Sequence, residues 1–293
     1  MSMTGHRTML YSALLLLPAT VLLWVFTYQP IFTTILNSFY STPRGRRPSV
    51  FVGLENYETM IADPIFWKAM TNNLIYALTT IPFSIALALA MALLVSANLR
   101  GKGLMRMAFF TPTVLPMVAV ANIWLFFYAP DYGLIDKFLG LFGMGGNNIL
   151  GSVETALPAV IAITVWKEAG FFMIFYLAGL QQISPTLIEA SRLEGAGFWQ
   201  TLWRVQIPLL MPTTLFISIN AVIGAFRLVD HIVAMTKGGP DNATTLLLFY
   251  IYQNGFAFWD TAYAAALTVV LLAILAAIAL FQFGYADKRV HYR

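Results

Sequence analysis

Three ionisable and two amide side chains lie inside long apolar stretches of the sequence, where charges and hydrogen-bonding groups are costly. Lys167 and Glu168 are adjacent near the middle of one stretch. Asn122 lies in an earlier stretch, and Asn220 and Arg227 lie in a later one. An ionised side chain at the centre of a membrane span costs about 2.5–3.5 kcal/mol on insertion scales. These residues therefore indicate a solute path, a buried ion pair or a contact with another protein.

The adjacent residues Lys167 and Glu168 cannot simply neutralise each other on one helix face. Successive residues of an α-helix point about 100° apart, so each side chain needs a partner on another helix, a water-filled path or a ligand. Two interpretations of this pair stay open. The side chains contact a transported solute, or they form ion pairs with a partner protein. Arg227 lies near the outer end of its stretch, where we favour a side chain that extends to the membrane surface.

The composition is that of a membrane protein. Of 293 residues, 59% are hydrophobic and only 10% are charged, whereas soluble domains carry about a quarter charged residues. Cysteine is absent and the three histidines are far apart, which excludes thiolate sites and histidine-pair metal sites. The net charge of +4 comes from dispersed basic residues. It fits loops that lie beside an anionic lipid leaflet and argues against nucleic acid as a partner.

Six stretches are long enough to cross a bilayer, which takes about 20 apolar residues. They predict an all-α membrane protein with six transmembrane helices, in a single domain over residues 1–293. The predicted spans are Tyr11 to Leu36, Leu74 to Ala97, Met107 to Tyr128, Thr155 to Leu180, Val205 to Leu228 and Thr261 to Phe283. Between the first two spans, VGLENYETMIADPIFWKAM has the apolar spacing of a short amphipathic helix.

The placement of lysine and arginine orients these spans, because cytoplasmic loops carry an excess of basic residues. With six spans, both termini share one side of the membrane. That side carries nine of the 17 basic residues, against six on the other side and two inside spans. The opposing cluster RGRR at 44–47 lies in a long loop, where the rule weakens. We therefore expect both termini, and the loop between the fourth and fifth spans, in the cytoplasm.

The loop of about residues 181–208, between the fourth and fifth spans, is polar and predicts two short helices. Ser184 followed by Pro185 is typical of a helix start, with the serine side chain as the cap. Gly195 is typical of a helix C-terminus, and a second helical run starts near Gly197. These helices are too polar for the bilayer, so we expect them at its cytoplasmic face, shaped to insert into a groove of another protein. The alternative is a simple interfacial connector.

The same loop resembles the cytoplasmic loop of permease subunits of bacterial ABC importers. The family pattern is Glu-Ala-Ala, three residues, Gly, nine residues, Ile-x-Leu-Pro, and this chain departs from it conservatively at three positions. The matching positions are Glu189, Ala190, Ser191, Gly195, Val205, Ile207 and Pro208. The segments FVGLENYETM and TKGGPDNATTLLLFYIYQNGF resemble carbohydrate-type permeases related to maltose and glycerol-3-phosphate importers. Together the likeness covers most of the chain.

The resemblance implies that the loop is a coupling helix, which docks in a cleft of a separate ATP-hydrolysing subunit and carries its motion to the spans. It implies a sugar, glycoside, polyol or glycerol-phosphate as solute. The implied partners in the bacterial cytoplasmic membrane are a second permease subunit in a heterodimer, two ATP-binding subunits and an extracytoplasmic solute-binding protein. The chain has no G-x-x-x-x-G-K-[ST] loop. We therefore expect ATP and Mg²⁺ on the partner subunits, no cofactor in this chain and no enzymatic activity of its own.

In maltose-type permeases the sugar contacts fall on the spans that flank this loop. The resemblance therefore places the solute cavity here along residues 164–171 and 220–227, as a region rather than residue by residue. With the amide of the third span, the candidate cavity residues are Asn122, Thr164, Lys167, Glu168, Phe171, Asn220 and Arg227. No metal ligands are expected among them.

Two other classes of membrane protein are weighed against this one. A self-sufficient secondary transporter is the main alternative; it predicts inverted repeats with paired glycine or proline interruptions, and the sequence contains no such repeated arrangement. A membrane-embedded enzyme would need a nucleophile with its base, or a metal site. The absence of cysteine and of histidine within the predicted spans disfavours that class.

Overall fold

The computed structural model describes residues 3–97, 100–143, 145–227 and 229–289, and most of them are helical. Within those ranges the β-pairing is limited to isolated bridges, which join Tyr40 to Phe51 and Arg44 to Arg47. The predicted all-α architecture is therefore confirmed.

Fifteen α-helices follow one another along the described residues, with π-helical turns at Trp24–Tyr28, Leu202–Gln206 and Gln253–Ala257. The helices are α1 (Met3–Leu23), α2 (Gln29–Asn37), α3 (Glu55–Ala62), α4 (Pro64–Ser96), α5 (Lys102–Val114), α6 (Met117–Phe127), α7 (Leu134–Gly140), α8 (Ala156–Gln182), α9 (Pro185–Leu193), α10 (Phe198–Thr201), α11 (Ile207–Leu209), α12 (Met211–Arg227), α13 (Asp230–Met235), α14 (Leu247–Tyr252) and α15 (Thr261–Arg289).

Among the described residues, five helical segments are long and apolar enough to cross a membrane, and a bent helix pair raises the number to as many as six. The five segments are Tyr11–Asn37, Pro64–Ser96, Ala156–Gln182, Met211–Met235 and Thr261–Gln282. Each overlaps a predicted span. Leu228, the predicted end of the fifth span, lies outside the described residues.

The second span begins earlier than predicted because the amphipathic segment before it divides in two. Helix α3 ends at Ala62, Asp63 is extended with ψ 113°, and α4 begins at Pro64. The residue before a proline is disfavoured in helical conformation, whereas proline suits the first position of a helix. The Asp-Pro dipeptide therefore sets the boundary, and the segment PIFWKAM becomes the start of the second span rather than the end of a separate helix.

The third span is broken rather than continuous. Helices α5 and α6 meet at an angle of 104°, and both residues between them, Leu115 (ψ 136°) and Pro116 (ψ 142°), are extended. Pro116 has no N–H to donate to the carbonyl one turn earlier, and its ring disfavours a helical Leu115. The prediction of one uninterrupted helix from Met107 to Tyr128 is therefore wrong, since it gave this proline too little weight.

Two compact units make up the chain. The first contains residues 1–63 and 251–273, and the second contains residues 64–250 and 274–293. In the first unit, the apolar side chains of residues 11–30 are almost all exposed. In the second unit, α4 and α8 pack along each other, and α12 and α5 contact this pair. A buried core between them includes Ala88, Phe172, Met173, Tyr176 and Ile217.

Helix α5 reaches α8 at its closest point beside Gly170. A methyl group on Gly170 would overlap the carbonyl oxygen of Phe109 and would lie 3.0 Å from the methyl group of Thr113. The absence of a side chain at Gly170 therefore lets α5 lie directly against α8.

We expect Gly170→Ala to push α5 away from α8 and to lower the free energy of unfolding by about 1–3 kcal/mol, as overpacking typically does. The measurement is the thermal unfolding midpoint of the purified protein. Gly224→Ala is the matched control, because a methyl group at Gly224 in α12 meets no heavy atom within 4 Å. Equal midpoints for the two variants would contradict the close approach.

Candidate functional site

The polar loop of residues 181–208 folds into two short helices that turn sharply at Gly195. Helix α9 ends with Gly195 in the left-handed conformation, at φ +83°. The Gly195 N–H donates to the Arg192 carbonyl at 3.0 Å, and the Ala196 N–H donates to the Ser191 carbonyl at 3.0 Å. This pair of bonds is the Schellman motif, which satisfies the last carbonyls of a helix. The predicted C-terminal glycine and the second helical start after Gly197 are confirmed.

Side-chain bonds within the loop differ from the prediction at Ser184. Its hydroxyl does not cap α9 but lies 2.7 Å from the hydroxyl of Thr186, so the predicted serine cap is wrong. Ser191, where the family pattern has alanine, is buried and lies 3.2 Å from the hydroxyl of Thr201. The serine hydroxyl thereby ties α9 to α10, an interaction that alanine would lack.

The outer surface of this loop combines charge with exposed apolar side chains. Glu189 and Ala190 are exposed, and the side chain of Leu193 is 90% exposed. Phe198 and Trp199 are also exposed, and their ring centroids lie 5.4 Å apart. A polar loop with aromatic and aliphatic side chains open to its surroundings has the composition of a protein-binding surface.

A groove of about 790 Å³ runs between this loop and the ends of α4, α5 and α8. Lys102, Arg106 and Arg192 line it together with Glu189. The groove therefore separates the loop helices from the spans along part of their length, while Ile188 of α9 packs against the core of those spans. Motion of α9 would reach the spans through this packed contact.

Lys167 is bound to the break in the third span. Its ammonium group donates to the carbonyl oxygens of Leu115 at 2.8 Å, Pro112 at 3.0 Å and Thr113 at 3.4 Å. These carbonyls lack their usual helical donors because Pro116 has no N–H and the helix stops at Val114. The lysine thereby supplies from α8 the donors that the broken helix has lost.

Thr164 and Glu168 lie together on the side of α8 that faces α4. They line a small cavity of about 10 Å³ together with Thr80 and Ser84 of α4. The Ser84 hydroxyl is buried and has no hydrogen-bond partner in the described part of the chain. The structure therefore brings two of the predicted cavity residues into one small cavity inside the second unit, which apolar side chains such as Ile81 and Phe172 also line.

Two residues that sequence analysis missed, Tyr76 and His231, form a buried polar row with Thr164. The Tyr76 hydroxyl donates to the Thr164 hydroxyl at 2.8 Å and lies 3.3 Å from Nε2 of His231. Tyr76, Thr80 and Ser84 are four residues apart, which places them on one face of α4. That spacing was visible in the sequence, whereas the position of His231 depends on where α13, which continues the span of α12, lies relative to Tyr76 of α4.

The other candidate cavity residues point outward from this chain. Asn122, Asn220, Phe171 and Arg227 are exposed, and each amide donates only to the carbonyl one turn earlier in its own helix. Exposed amides in membrane spans face a partner protein or water rather than lipid. The structure thus divides the candidate cavity residues into three groups. Thr164 and Glu168 face α4, Lys167 lies at the break in the third span, and the remaining four are exposed. Within the described residues, no three histidine, aspartate or glutamate side chains gather as metal ligands do.

Comparison with known proteins decides the family. Residues 81–292 match the family described as the inner membrane component of binding-protein-dependent transport systems. The chain belongs to that family. It is therefore a multi-pass permease subunit of the inner membrane, as the residues at 189–208 predicted.

Several curated relatives resemble this permease over nearly their whole length. The sulfoquinovosyl glycerol permease SmoG of Agrobacterium fabrum is 34% identical over 90% of this chain and 86% of its own. The sn-glycerol-3-phosphate permease UgpA of the same organism is 31% identical over 95% of both chains. The lactose permease LacF of Rhizobium radiobacter is 34% identical over 93% of this chain and 92% of its own.

A solved structure has the same fold. The crystal structure of a bacterial ABC transporter involved in the import of the acidic polysaccharide alginate contains a chain that superposes with a TM-score of 0.83. That chain is 24% identical, and the match covers 98% of both chains. The permease therefore has the fold of an ABC importer subunit.

Proposed function

We propose that this permease moves a sugar, a glycoside or a related polyol or glycerol-phosphate into the cell, driven by ATP hydrolysis on separate subunits. The observation that carries this proposal is the group of relatives at 31–34% identity, whose names give sulfoquinovosyl glycerol, glycerol-3-phosphate and lactose as solutes. All three solutes are polyhydroxylated and small. Exposed amides and phenyl rings on the spans suit such molecules.

The assembly that we propose has five parts. Residues 1–293 form one transmembrane domain, which pairs with a second permease subunit in a heterodimer. Two ATP-binding subunits hold ATP and Mg²⁺, an extracytoplasmic protein delivers the solute, and this chain holds no cofactor and catalyses no reaction itself. The delivery step is supported by a second solved alginate ABC transporter, which is in complex with a periplasmic protein that carries an alginate pentasaccharide.

The loop of residues 181–208 is, in this proposal, the coupling element at the cytoplasmic face. Its support is the match of Glu189, Ala190, Ser191, Gly195 and Pro208 to the family pattern, together with their geometry. Except for Ser191, these residues are exposed, so they are free to contact a partner. The buried Ser191 holds the two loop helices together, which lets them move as one piece.

The solute path follows the outward face of α8 and α12, where the second permease subunit would close it. Phe171, Phe175 and Phe216 form a chain of ring contacts there, with centroids 5.2 Å and 5.1 Å apart. Asn220 lies one helical turn beyond Phe216, so an amide borders the aromatic surface. Aromatic faces for the carbon side of a sugar ring and an amide for its hydroxyls make a suitable contact surface.

Solute uptake by reconstituted vesicles tests this function. We expect uptake to require ATP on the side of the membrane that carries the ATP-binding subunits. We also expect it to require the solute-binding protein on the opposite side of the membrane. A polyol or sugar panel, including a glycerol-phosphate, identifies the solute. Uptake that follows an ion gradient without ATP would instead support a secondary transporter.

Cysteine labelling tests the orientation, and the chain is a clean background because it contains no cysteine. We expect Glu189→Cys to react with a membrane-impermeant maleimide only from the cytoplasmic side and Lys137→Cys only from the outside. The two side chains are exposed in this chain, so in membranes that contain the permease without its ATP-binding subunits the reaction reports sidedness. Labelling of residue 189 from the outside would end the proposal that this loop couples to ATP-binding subunits.

A further inference from the structure

The arginine cluster RGRR at 44–47 lies outside the proposed coupling loop and the proposed solute path, and it is built into a defined hairpin. The Ser41 N–H donates to the Val50 carbonyl at 2.8 Å. At the tip, the Arg44 and Arg47 backbones exchange two hydrogen bonds at 3.3 and 3.0 Å. The cluster is therefore the turn of a short hairpin, whose two sides are joined by isolated bridges at Tyr40–Phe51 and Arg44–Arg47.

Hydrogen bonds fix this hairpin within the first unit. The Asn56 amide donates to the carbonyls of Ser38 and Tyr40, at 2.8 and 2.9 Å. Farther along, the Thr42 hydroxyl donates to the Asp260 carboxylate at 2.5 Å and accepts the Ala262 N–H at 2.9 Å. Hydrogen bonds thus anchor both the base and the middle of the hairpin, and they restrict where its tip can lie.

These bonds place the middle of the hairpin beside the first turn of a helix that is long and apolar enough to cross a membrane. Ala262 is in the first turn of α15, whose apolar span starts at Thr261. The Arg44 guanidinium lies 3.8 Å from the Asp260 carboxylate, directly before that span. The headgroup layer on each side of a bilayer is about 5–7 Å thick. Arg44, which lies this close to the start of the span, is therefore within reach of the lipid phosphate layer.

The side chains around the tip suit that environment. Arg46 and Arg47 are exposed, and among the described residues neither forms an ion pair. Exposed aromatic rings lie on the same unit, at Phe51, Phe258 and Trp259, the last of which is 74% exposed. Aromatic rings concentrate at membrane interfaces, and the guanidinium fork matches phosphate oxygens in pairs.

From this placement we propose that the hairpin tip, with Arg46 and Arg47 as its free cations, binds the phosphate groups of anionic phospholipids in the outer leaflet. The outer sidedness rests on the proposed function, because the second, third and fourth spans separate this hairpin from the coupling loop. An arginine cluster opposes the usual charge bias on that side, and lipid binding explains why the chain carries one there. The closeness of the tip to the start of a span and the exposed aromatic rings of the same unit favour lipid over a docked protein.

Native mass spectrometry of the purified transporter, with phosphatidylglycerol or phosphatidylcholine added, tests the proposal. The Arg46→Gln, Arg47→Gln double variant should bind phosphatidylglycerol about 25-fold more weakly, at about fivefold for each arginine removed. Binding of phosphatidylcholine should change little. Lys137→Gln removes an exposed cation elsewhere on the outer side and should leave both lipids unaffected. The Arg46→Lys, Arg47→Lys variant keeps the charge and should retain most of the phosphatidylglycerol binding.

Three results would overturn the proposal. The first is unchanged phosphatidylglycerol binding in the double glutamine variant, with the partner subunits still co-purifying. The second is equal competition by soluble glycerophosphate, which would make the tip a site for free phosphate. The third is a weaker affinity for the solute-binding protein with lipid binding intact. The assay contains no ATP or solute, so lipid binding can be measured even if the proposed transport function is wrong. Cysteine labelling that places residue 46 in the cytoplasm would separately refute the proposed orientation.

Discussion

Replacing Gly195 with proline is expected to abolish ATP-driven uptake while leaving the permease in the membrane. Gly195 has φ +83°, whereas proline fixes φ near about −65°. Proline also removes the N–H that donates to the Arg192 carbonyl at 3.0 Å. The turn between α9 and α10 would then open, and the surface that meets the ATP-binding subunit would lose its shape. The measurements are uptake and ATP hydrolysis with and without the loaded solute-binding protein.

Gly197→Ala is the matched control for that change. Gly197 has φ −74°, which any residue adopts, and a methyl group there meets no atom within 4 Å. We expect this control to transport normally. Glu189→Lys should reproduce the proline effect by another route, since it reverses the charge on the exposed face of α9 without changing the backbone. Normal uptake and normally stimulated hydrolysis in both Gly195→Pro and Glu189→Lys would remove the loop from the coupling mechanism.

Lys167→Met should destabilise the permease as well as impair uptake. Methionine keeps much of the side-chain volume but donates nothing to the carbonyls of Pro112, Thr113 and Leu115. The bonds to Pro112 and Thr113 are part-buried, and a polar group left without a partner away from water costs about 1–3 kcal/mol. Whole proteins are stable by only about 5–15 kcal/mol. We therefore expect a lower thermal unfolding midpoint together with reduced uptake, because the bend between α5 and α6 loses its support.

The lysine variants separate this supporting role from a direct solute contact. Lys167→Arg retains charged donors and should recover part of the thermal stability. Lys137→Met removes a cation that is exposed and should leave the unfolding midpoint unchanged. If Lys167→Met lowered uptake with an unchanged midpoint, the lysine would act on the solute rather than on the broken helix.

The spans were predictable because hydrophobic length alone identifies them, whereas the partners of buried polar groups were not. Two interpretations stayed open for Lys167, a solute contact and an ion pair with a partner protein, and neither included backbone carbonyls. Pro112 and Pro116 indicated in the sequence that some backbone carbonyls would need other donors, since each proline removes a helical N–H donor. What it could not supply was the alignment of α8 with α5, which depends on the close approach at Gly170.

The polar loop was predicted in more detail because local chemistry determines it. A glycine after a polar helical run indicates a left-handed C-terminus whatever surrounds it, and Gly195 adopts that conformation. The Ser184 cap failed because the nearby Thr186 hydroxyl offers a competing partner. The buried row of Tyr76, Thr164 and His231 was out of reach, since three segments far apart in sequence have to meet before it exists.

Photocrosslinking from position 193 shows whether the loop of residues 181–208 contacts an ATP-binding subunit. The Leu193 side chain is 90% exposed at the end of α9, so a photoreactive residue there should not disturb the fold. In the assembled transporter we expect it to crosslink to an ATP-binding subunit, and the same residue at position 141, an exposed site outside the loop, to give no such product. Crosslinks from 193 that never contain an ATP-binding subunit would contradict the account of this loop as the coupling element.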